Sequence, residues 1–199
     1  MVAGAAAEVV AWRVVAAGRR SVWVVMGLVL PIMGAVALVV RMPVAAEGVD
    51  TASAITVGAG TGIALYVATR GFVAIARGWD TFTRQTSETY GPRSEMPYRL
   101  LLPLAVLAVV GEELFWRGLF QERIALEAGA AGGAALTWFA FVGVNVASAS
   151  LPIVAGAIVG GALWAGLAAW SGGVFASVAS HGIWTLLMLA LPPAEGRDP

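Results

Sequence analysis

Residues 128–194 decide the fold, and they read AGAAGGAALTWFAFVGVNVASASLPIVAGAIVGGALWAGLAAWSGGVFASVASHGIWTLLMLALPPA. These 67 residues contain no Asp, Glu, Lys or Arg, and their one strongly titratable side chain is His181. A helix that crosses a bilayer needs about 20 apolar residues, so the stretch is long enough for about three. Breaks rich in serine, proline and glycine at 148–152 and 171–173 divide it. The sequence therefore predicts spanning helices at 130–147, 151–170 and 173–191.

Further apolar stretches lie upstream of this region. Residues 21–40 and 51–69 carry no charge and are each long enough to cross a membrane. The stretch 100–110 is too short alone, and it spans only if the helix continues through Glu112, Glu113 and Arg117 to about residue 124. We therefore expect an all-α polytopic membrane protein with about six transmembrane helices. An N-terminal interfacial helix is predicted at 2–18, where Val and Ala are mixed with Glu8 and Arg13.

The predicted helices form a single membrane domain over residues 1–199. Residues 1–99 supply N-terminal anchor helices and a cytoplasmic loop, and residues 100–191 supply the core helices. The leading apolar run is too long for a cleaved signal peptide, so the anchor is expected to be retained. Arginines gather before the first span and again in the loop, at positions 13, 19, 20, 77, 84, 93 and 99. The positive-inside rule then predicts a multi-pass protein of the cell inner (cytoplasmic) membrane with a cytoplasmic N-terminus.

The composition excludes several classes of protein. The chain is 59% apolar and 12% charged, whereas about a quarter of residues are charged in a soluble domain. Absence of cysteine excludes disulfides, thiolate zinc sites and thiol nucleophiles. A formal net charge of +0 without any lysine gives no electrostatic reason to expect a nucleic-acid partner.

Charged residues inside a required membrane helix are the first candidates for chemistry. Residues 111–118 read GEELFWRG. Glu113 and Arg117 are four residues apart and can pair on one helix face, whereas Glu112 points about 100 degrees away and stays unpaired. A buried carboxylate without a cation is suited to accept a proton from water as a general base. The alternative is a helix end at the membrane surface with solvated charges.

Two further polar positions fall on the C-terminal helices. Ser177, His181 and Thr185 follow one another at intervals of four and form a polar stripe on the last helix. Asn145 lies on the helix that begins near residue 130. The alternatives are a hydrogen-bonded structural histidine and an asparagine that only holds helices together.

These residues resemble the CAAX protease and bacteriocin-processing family of glutamic-type intramembrane endopeptidases, which includes the type II CAAX prenyl endopeptidases. The similarity runs from about residue 100 to residue 191, and it implies that residues 100–191 form the catalytic-core helices. Residues 112–118 are similar to the family's Glu-Glu-hydrophobic-Phe-x-Arg-Gly run. The family's Phe-x-x-x-His corresponds here to Phe141 followed by Asn145, and its His-x-x-x-Asn corresponds to His181 followed by Thr185.

The resemblance implies an intramembrane endopeptidase that hydrolyses a peptide bond of a membrane-associated protein or peptide. By analogy Glu112 activates water, His181 polarises the scissile carbonyl or orients the water, and Glu113 pairs with Arg117 to fix the helix. Asn145 and Thr185 complete the site as hydrogen-bond donors. Processing or sorting of the C-termini of surface proteins is one form of this activity, and a prenyl-type protease is another.

Two predictions and one alternative accompany this interpretation. With one histidine and no cysteine, the chain lacks the usual ligands of catalytic zinc, so we predict metal-independent catalysis without a cofactor. The expected partners are a membrane-anchored substrate and the lipid bilayer, with the oligomeric state left open. The alternative function is a non-catalytic membrane binding or immunity protein that retains the fold, which Asn145 and Thr185 favour.

Overall fold

The computed structural model describes residues 1–40, 48–90 and 96–192, and this part of the chain is helical with no strand. The all-α prediction is confirmed for it. Arg93, which entered the orientation argument, lies outside the described residues. The helices are α1 (Val2–Ala16), α2 (Val22–Val40), α3 (Thr51–Ile75), α4 (Asp80–Tyr90), α5 (Tyr98–Glu113), α6 (Glu122–Asn145), α7 (Leu151–Ser171) and α8 (Phe175–Ala190), with a π-helical segment at Leu114–Gln121 between α5 and α6.

Several of these helices are long enough to cross a membrane. Among the described residues, Val22–Val40, Thr51–Gly78 and Leu151–Ser171 are long and apolar enough to cross a bilayer, and Phe175–Ala190 is a shorter apolar helix. Large apolar side chains such as Ile32 on α2 and Ile63 on α3 are exposed. Such surfaces suit contact with lipid rather than water. The chain is a membrane protein.

Residues 98–145 form one nearly continuous helical segment with two irregularities. A π-helical segment at Leu114–Gln121 follows the two glutamates directly, and π-helical turns are frequent at functional sites. Gly129 then breaks the helix with a φ of 72°, a conformation that glycine adopts without steric cost. The predicted helix start at residue 130 coincides with this break, whereas nothing in the sequence signalled the π segment.

Two N-terminal features differ from the sequence expectation. Residues 77–99, predicted as a loop, contain α4, whose inner side buries Phe82 and Thr86. The helix was missed because its sequence is rich in threonine and lacks an apolar run. The predicted interfacial helix forms as α1, but Glu8, Ala11 and Trp12 are buried against protein. One face of α1 is therefore part of the core.

Close packing of α2 on α5 positions the residue just before the glutamates. A Cβ added at Gly111 would collide with the backbone of Leu30 and Pro31, and one at Gly34 would collide with the backbone of Gly111. Backbone atoms cannot move aside as a flexible side chain can. Glycine at 111 is therefore required for the two helices to approach.

We expect Gly111→Ala to destabilise the protein by about 1–3 kcal/mol or more, the usual cost of overpacking. Thermal unfolding in detergent measures the effect. Gly60→Ala on α3 is the matched control, because a Cβ there meets nothing within 4 Å. Equal stability of the two variants would contradict the close approach.

Candidate active site

A buried ion pair forms one side of the site. The Arg117 guanidinium nitrogen Nη1 lies 3.4 Å from Glu113 Oε1, and neither side chain has exposed surface. The pairing predicted from the four-residue spacing is therefore present. Arg117 Nη2 also donates to the Gly161 carbonyl at 3.4 Å, so the guanidinium connects the π segment to α7. This pair neutralises one glutamate and leaves the other without a cation of its own.

His181 joins the two glutamates across the helix bundle. Its Nδ1 lies 2.9 Å from Glu113 Oε1, and its Nε2 lies 3.8 Å from Glu112 Oε2. A neutral imidazole that donates Nδ1–H to Glu113 presents the Nε2 lone pair toward Glu112. The imidazole is thus oriented by one carboxylate and directed at the other. Glu113 has a role that the sequence did not predict, because its Oε1 contacts both Arg117 and His181.

Aromatic rings fix the imidazole and the guanidinium. The Trp164 ring stacks on His181 with centroids 3.7 Å apart and an interplanar angle of 15°. Arg117 lies 4.6 Å above the Phe141 ring and 5.6 Å from the Trp164 ring. Stacking and cation–π contacts of this kind hold both polar groups in place while excluding water. Phe141 on α6 and Trp164 on α7 therefore flank the two polar groups of the site.

Asn145 and Thr185 lie on the same cavity as the catalytic candidates. Asn145 is 4% exposed, and one N–H of its amide donates to the Phe141 carbonyl at 2.9 Å. The amide keeps its second N–H for another acceptor. Thr185 is half-buried, four residues after His181. Both side chains belong to the cavity wall.

The cavity has a volume of about 410 Å³ and brings together Glu112, Asn145, His181 and Thr185. Glu113 and Arg117 lie behind its wall rather than on it. Most of the remaining wall is apolar and comes from α2, α3, α5, α7 and α8. Polar groups converging on one side of an apolar cavity are typical of a binding or catalytic site. Glu112, Asn145, His181 and Thr185 therefore border the same cavity, which is large enough for part of a peptide or lipid chain.

Helix α4 covers part of this cavity. Phe82, Thr86 and Thr89 contribute to its wall. Gln85 holds the helix in position, because its Nε2 donates to the Ala149 carbonyl at 3.2 Å and its Oε1 accepts from the Leu151 amide at 2.8 Å. The predicted cytoplasmic loop thus reaches the site through a helix that is tied to the α6–α7 turn.

Glu8 was missed as a member of this region. It is 0% exposed, and its Oε2 accepts the Trp116 indole N–H at 2.8 Å. It also interacts electrostatically with Glu112 and Arg117. The sequence held one signal of this, a single carboxylate in an otherwise apolar run at 2–12. An interfacial helix was expected to expose Glu8 to water, whereas α1 buries it in the protein.

The geometry also bears on metal binding. Within the described ranges no group of three or more His, Asp or Glu side chains is arranged to hold a metal ion. Metal-independent catalysis stays a prediction, because the reaction itself has to be measured.

Residues 94–187 match the family model described as type II CAAX prenyl endopeptidase Rce1-like. This match confirms the resemblance to the CAAX protease family. The matched segment contains Glu112, Glu113, Arg117, Asn145 and His181, together with Thr185 near its end. Helices α1 to α4, with Glu8 on the first of them, lie before it. Searches of curated proteins and of solved structures give no match.

Proposed function

We propose, because residues 94–187 match the type II CAAX prenyl endopeptidase Rce1-like family, that the chain is an intramembrane endopeptidase acting on a membrane-associated protein or peptide. The observation that carries the proposal is His181, held by Glu113 and facing Glu112 on an apolar cavity. A histidine with only a structural role needs one hydrogen-bond partner, and Glu113 already provides it. The second carboxylate, positioned at the cavity, supports a catalytic role.

In the proposed reaction Glu112 is the general base. It takes a proton from a water molecule, and the resulting hydroxide attacks the scissile carbonyl carbon. The tetrahedral intermediate then collapses as the C–N bond breaks, and the proton held by Glu112 passes to the amine leaving group. His181 orients the water by accepting a hydrogen bond from it at Nε2, the ring nitrogen that faces Glu112. This cycle returns every group to its starting protonation state.

Glu113 and Arg117 position the reacting groups without touching the substrate. Glu113 fixes the imidazole orientation through Nδ1, and Arg117 holds Glu113 in place through the ion pair. This arrangement is supported by the 2.9 Å and 3.4 Å contacts to one oxygen, Glu113 Oε1. A carboxylate that orients a histidine improves its action in hydrolases generally.

Asn145 and Thr185 are proposed as donors to the oxyanion of the tetrahedral intermediate. Their side chains lie on the same cavity as Glu112 and His181. Preorganised donors in a dry site contribute strongly, and loss of one such donor costs roughly 2.7–4 kcal/mol in a known protease. Neither residue moves protons near neutral pH, so proton transfer stays with Glu112.

The apolar cavity favours a substrate that carries a membrane anchor. We propose that the chain trims a C-terminal tail, either in prenyl-type processing or in sorting of surface proteins. We also propose that the multi-pass protein lies in the cell inner (cytoplasmic) membrane with its N-terminus in the cytoplasm, as the arginine distribution predicts. Catalysis is proposed to proceed without a metal ion.

Comparing the peptide termini of membrane proteins tests the function and identifies the substrate in the same experiment. Cells expressing the wild-type chain are compared with cells expressing Glu112→Gln, His181→Ala or no chain. We expect a set of new termini that requires the wild type, with the precursors accumulating in the other three. Identical termini in all four strains would contradict the endopeptidase.

The second candidate is a non-catalytic membrane binding or immunity protein. It is favoured by Asn145 and Thr185, which stand where the related family has histidine and asparagine. The same comparison of termini separates the two functions. If deletion of the gene causes a phenotype, and both Glu112→Gln and His181→Ala return the cells to the wild-type phenotype, the non-catalytic function is supported.

A further inference from the structure

Glu8 is buried in surroundings that are costly for a carboxyl. One oxygen accepts the Trp116 N–H, and Oε1 makes no hydrogen bond of good geometry to any described residue, although the Trp12 indole lies beside it. A buried polar group that is only half satisfied costs free energy, which an apolar residue of similar size would avoid. Packing alone does not explain a glutamate here.

Trp116 connects this carboxyl to the proposed base. It follows Glu112 by four residues, about one helical turn, and directly precedes Arg117. Its ring is fully buried and packs on Phe120 and Phe141, with centroids 4.8 Å and 5.5 Å away. Glu8 therefore anchors, from α1, a ring on the helical segment that carries both Glu112 and Arg117.

The charges in this region do not balance. Among the described residues, the carboxyl groups of Glu8, Glu112 and Glu113 all interact electrostatically with Arg117, and Glu113 already pairs with that cation at 3.4 Å. Glu8 and Glu112 interact electrostatically with each other. Two acids that repel each other at low dielectric titrate as a coupled pair. The protonation of Glu8 is thereby linked to that of the proposed base.

We propose, on the basis of the proposed endopeptidase function, that Glu8 is a positioning residue of the Glu112 site. It acts through its charge on Glu112 and through the Trp116 ring on the segment that carries Glu112. It touches neither substrate nor water in the reaction.

Through this role, the charge of Glu8 on α1 makes the rate of cleavage depend on pH. Burial raises the pKa of the Glu8 carboxyl to about 7, so the group changes charge near neutral pH. In the part of the chain that the structure describes, the charged and titratable groups that interact with it are Glu112 from α5 and Arg117 from the π segment. When Glu8 is ionised, its charge repels a second negative charge on Glu112.

Infrared difference spectroscopy of the purified protein in lipid vesicles tests the coupling without any substrate. The C=O band of protonated carboxyls is followed through a pH titration. We expect Glu8→Gln to remove a carboxyl that titrates near neutral pH, and Glu112→Gln to move the titration of Glu8 to lower pH. An unmoved titration of Glu8 in Glu112→Gln would overturn the coupling.

The pH profile of cleavage tests the consequence for catalysis. Glutamine keeps an oxygen that accepts the Trp116 N–H but carries no charge, so Glu8→Gln preserves the fold. We expect the acidic limb of its kcat/KM profile to move to lower pH by about one unit, the effect of one neighbouring charge in a partly screened interior. Glu127→Gln, which removes an exposed charge, is the control. Glu8→Asp retains the charge and is expected to keep the wild-type acidic limb.

The outcomes separate this inference from the function on which it rests. An active wild type with an unchanged profile in Glu8→Gln would overturn the assignment of Glu8 alone. A wild type that cleaves nothing in any membrane would overturn the endopeptidase, and with it the positioning role. A shifted acidic limb together with a moved infrared titration supports both.

Discussion

Glu112→Gln is expected to lower kcat by about 10²–10⁴-fold, the contribution of a positioned general base. Glutamine has nearly the same shape as glutamate but cannot take a proton from water. Because Glu112 is 8% exposed and forms one part of a largely apolar wall, the cavity keeps its form, and KM is expected to change little. The rate is measured on a substrate identified from the comparison of termini, with the protein in lipid vesicles.

Two controls make this result specific. Glu127→Gln removes the same charge from an exposed position and should retain the wild-type rate. Equal thermal unfolding of Glu112→Gln and the wild type excludes a folding defect. A Glu112→Gln rate within tenfold of the wild type would remove Glu112 from the role of base. Loss of wild-type cleavage on chelation, restored by zinc, would contradict metal-independent catalysis.

Local sequence rules predicted the parts of the fold that depend on neighbours along the chain. A bilayer accepts few charges, so the charge-free stretches located α2, α3, α7 and α8. Breaks were also predictable, because serine and glycine at 148–152 and 171–173 disfavour a continuing helix. The structure has a left-handed Ala149 (φ 54°) and a left-handed Gly172 (φ 71°) at these two breaks.

The candidate site was predictable only in part, because local sequence rules do not relate residues that lie on different helices. Glu113 and Arg117 are one helical turn apart, and their pairing follows from spacing. The contact of His181 with Glu113 joins residues 68 positions apart, and the contact of Glu8 with Trp116 joins residues 108 positions apart. No spacing rule reaches across helices. The resemblance placed His181 near the glutamates, but it did not cover α1, so Glu8 stayed hidden.

Arg117→Met is expected to reduce the free energy of unfolding by about 3–5 kcal/mol, since removing one partner leaves the Glu113 charge buried and unpaired. Neutralising the glutamate as well, in Glu113→Gln/Arg117→Met, should restore much of this loss. Glutamine removes the charge but keeps an oxygen for the His181 N–H. The non-additivity of the double variant therefore measures the coupling between the two side chains.

The chain contains a matched exposed pair that isolates the effect of burial. Arg84 and Glu88 are also four residues apart and lie 3.1 Å from each other, but their side chains are 63% and 59% exposed. Water and salt screen such pairs, and their coupling is typically about 0.3–0.5 kcal/mol. Denaturation in detergent micelles of the variants Arg84→Met, Glu88→Gln and their combination gives that value directly. If the coupling of Glu113 with Arg117 were no larger than that of the exposed pair, the buried pair would not be what holds Glu113 against His181, and the orientation of the imidazole would rest on Trp164 instead.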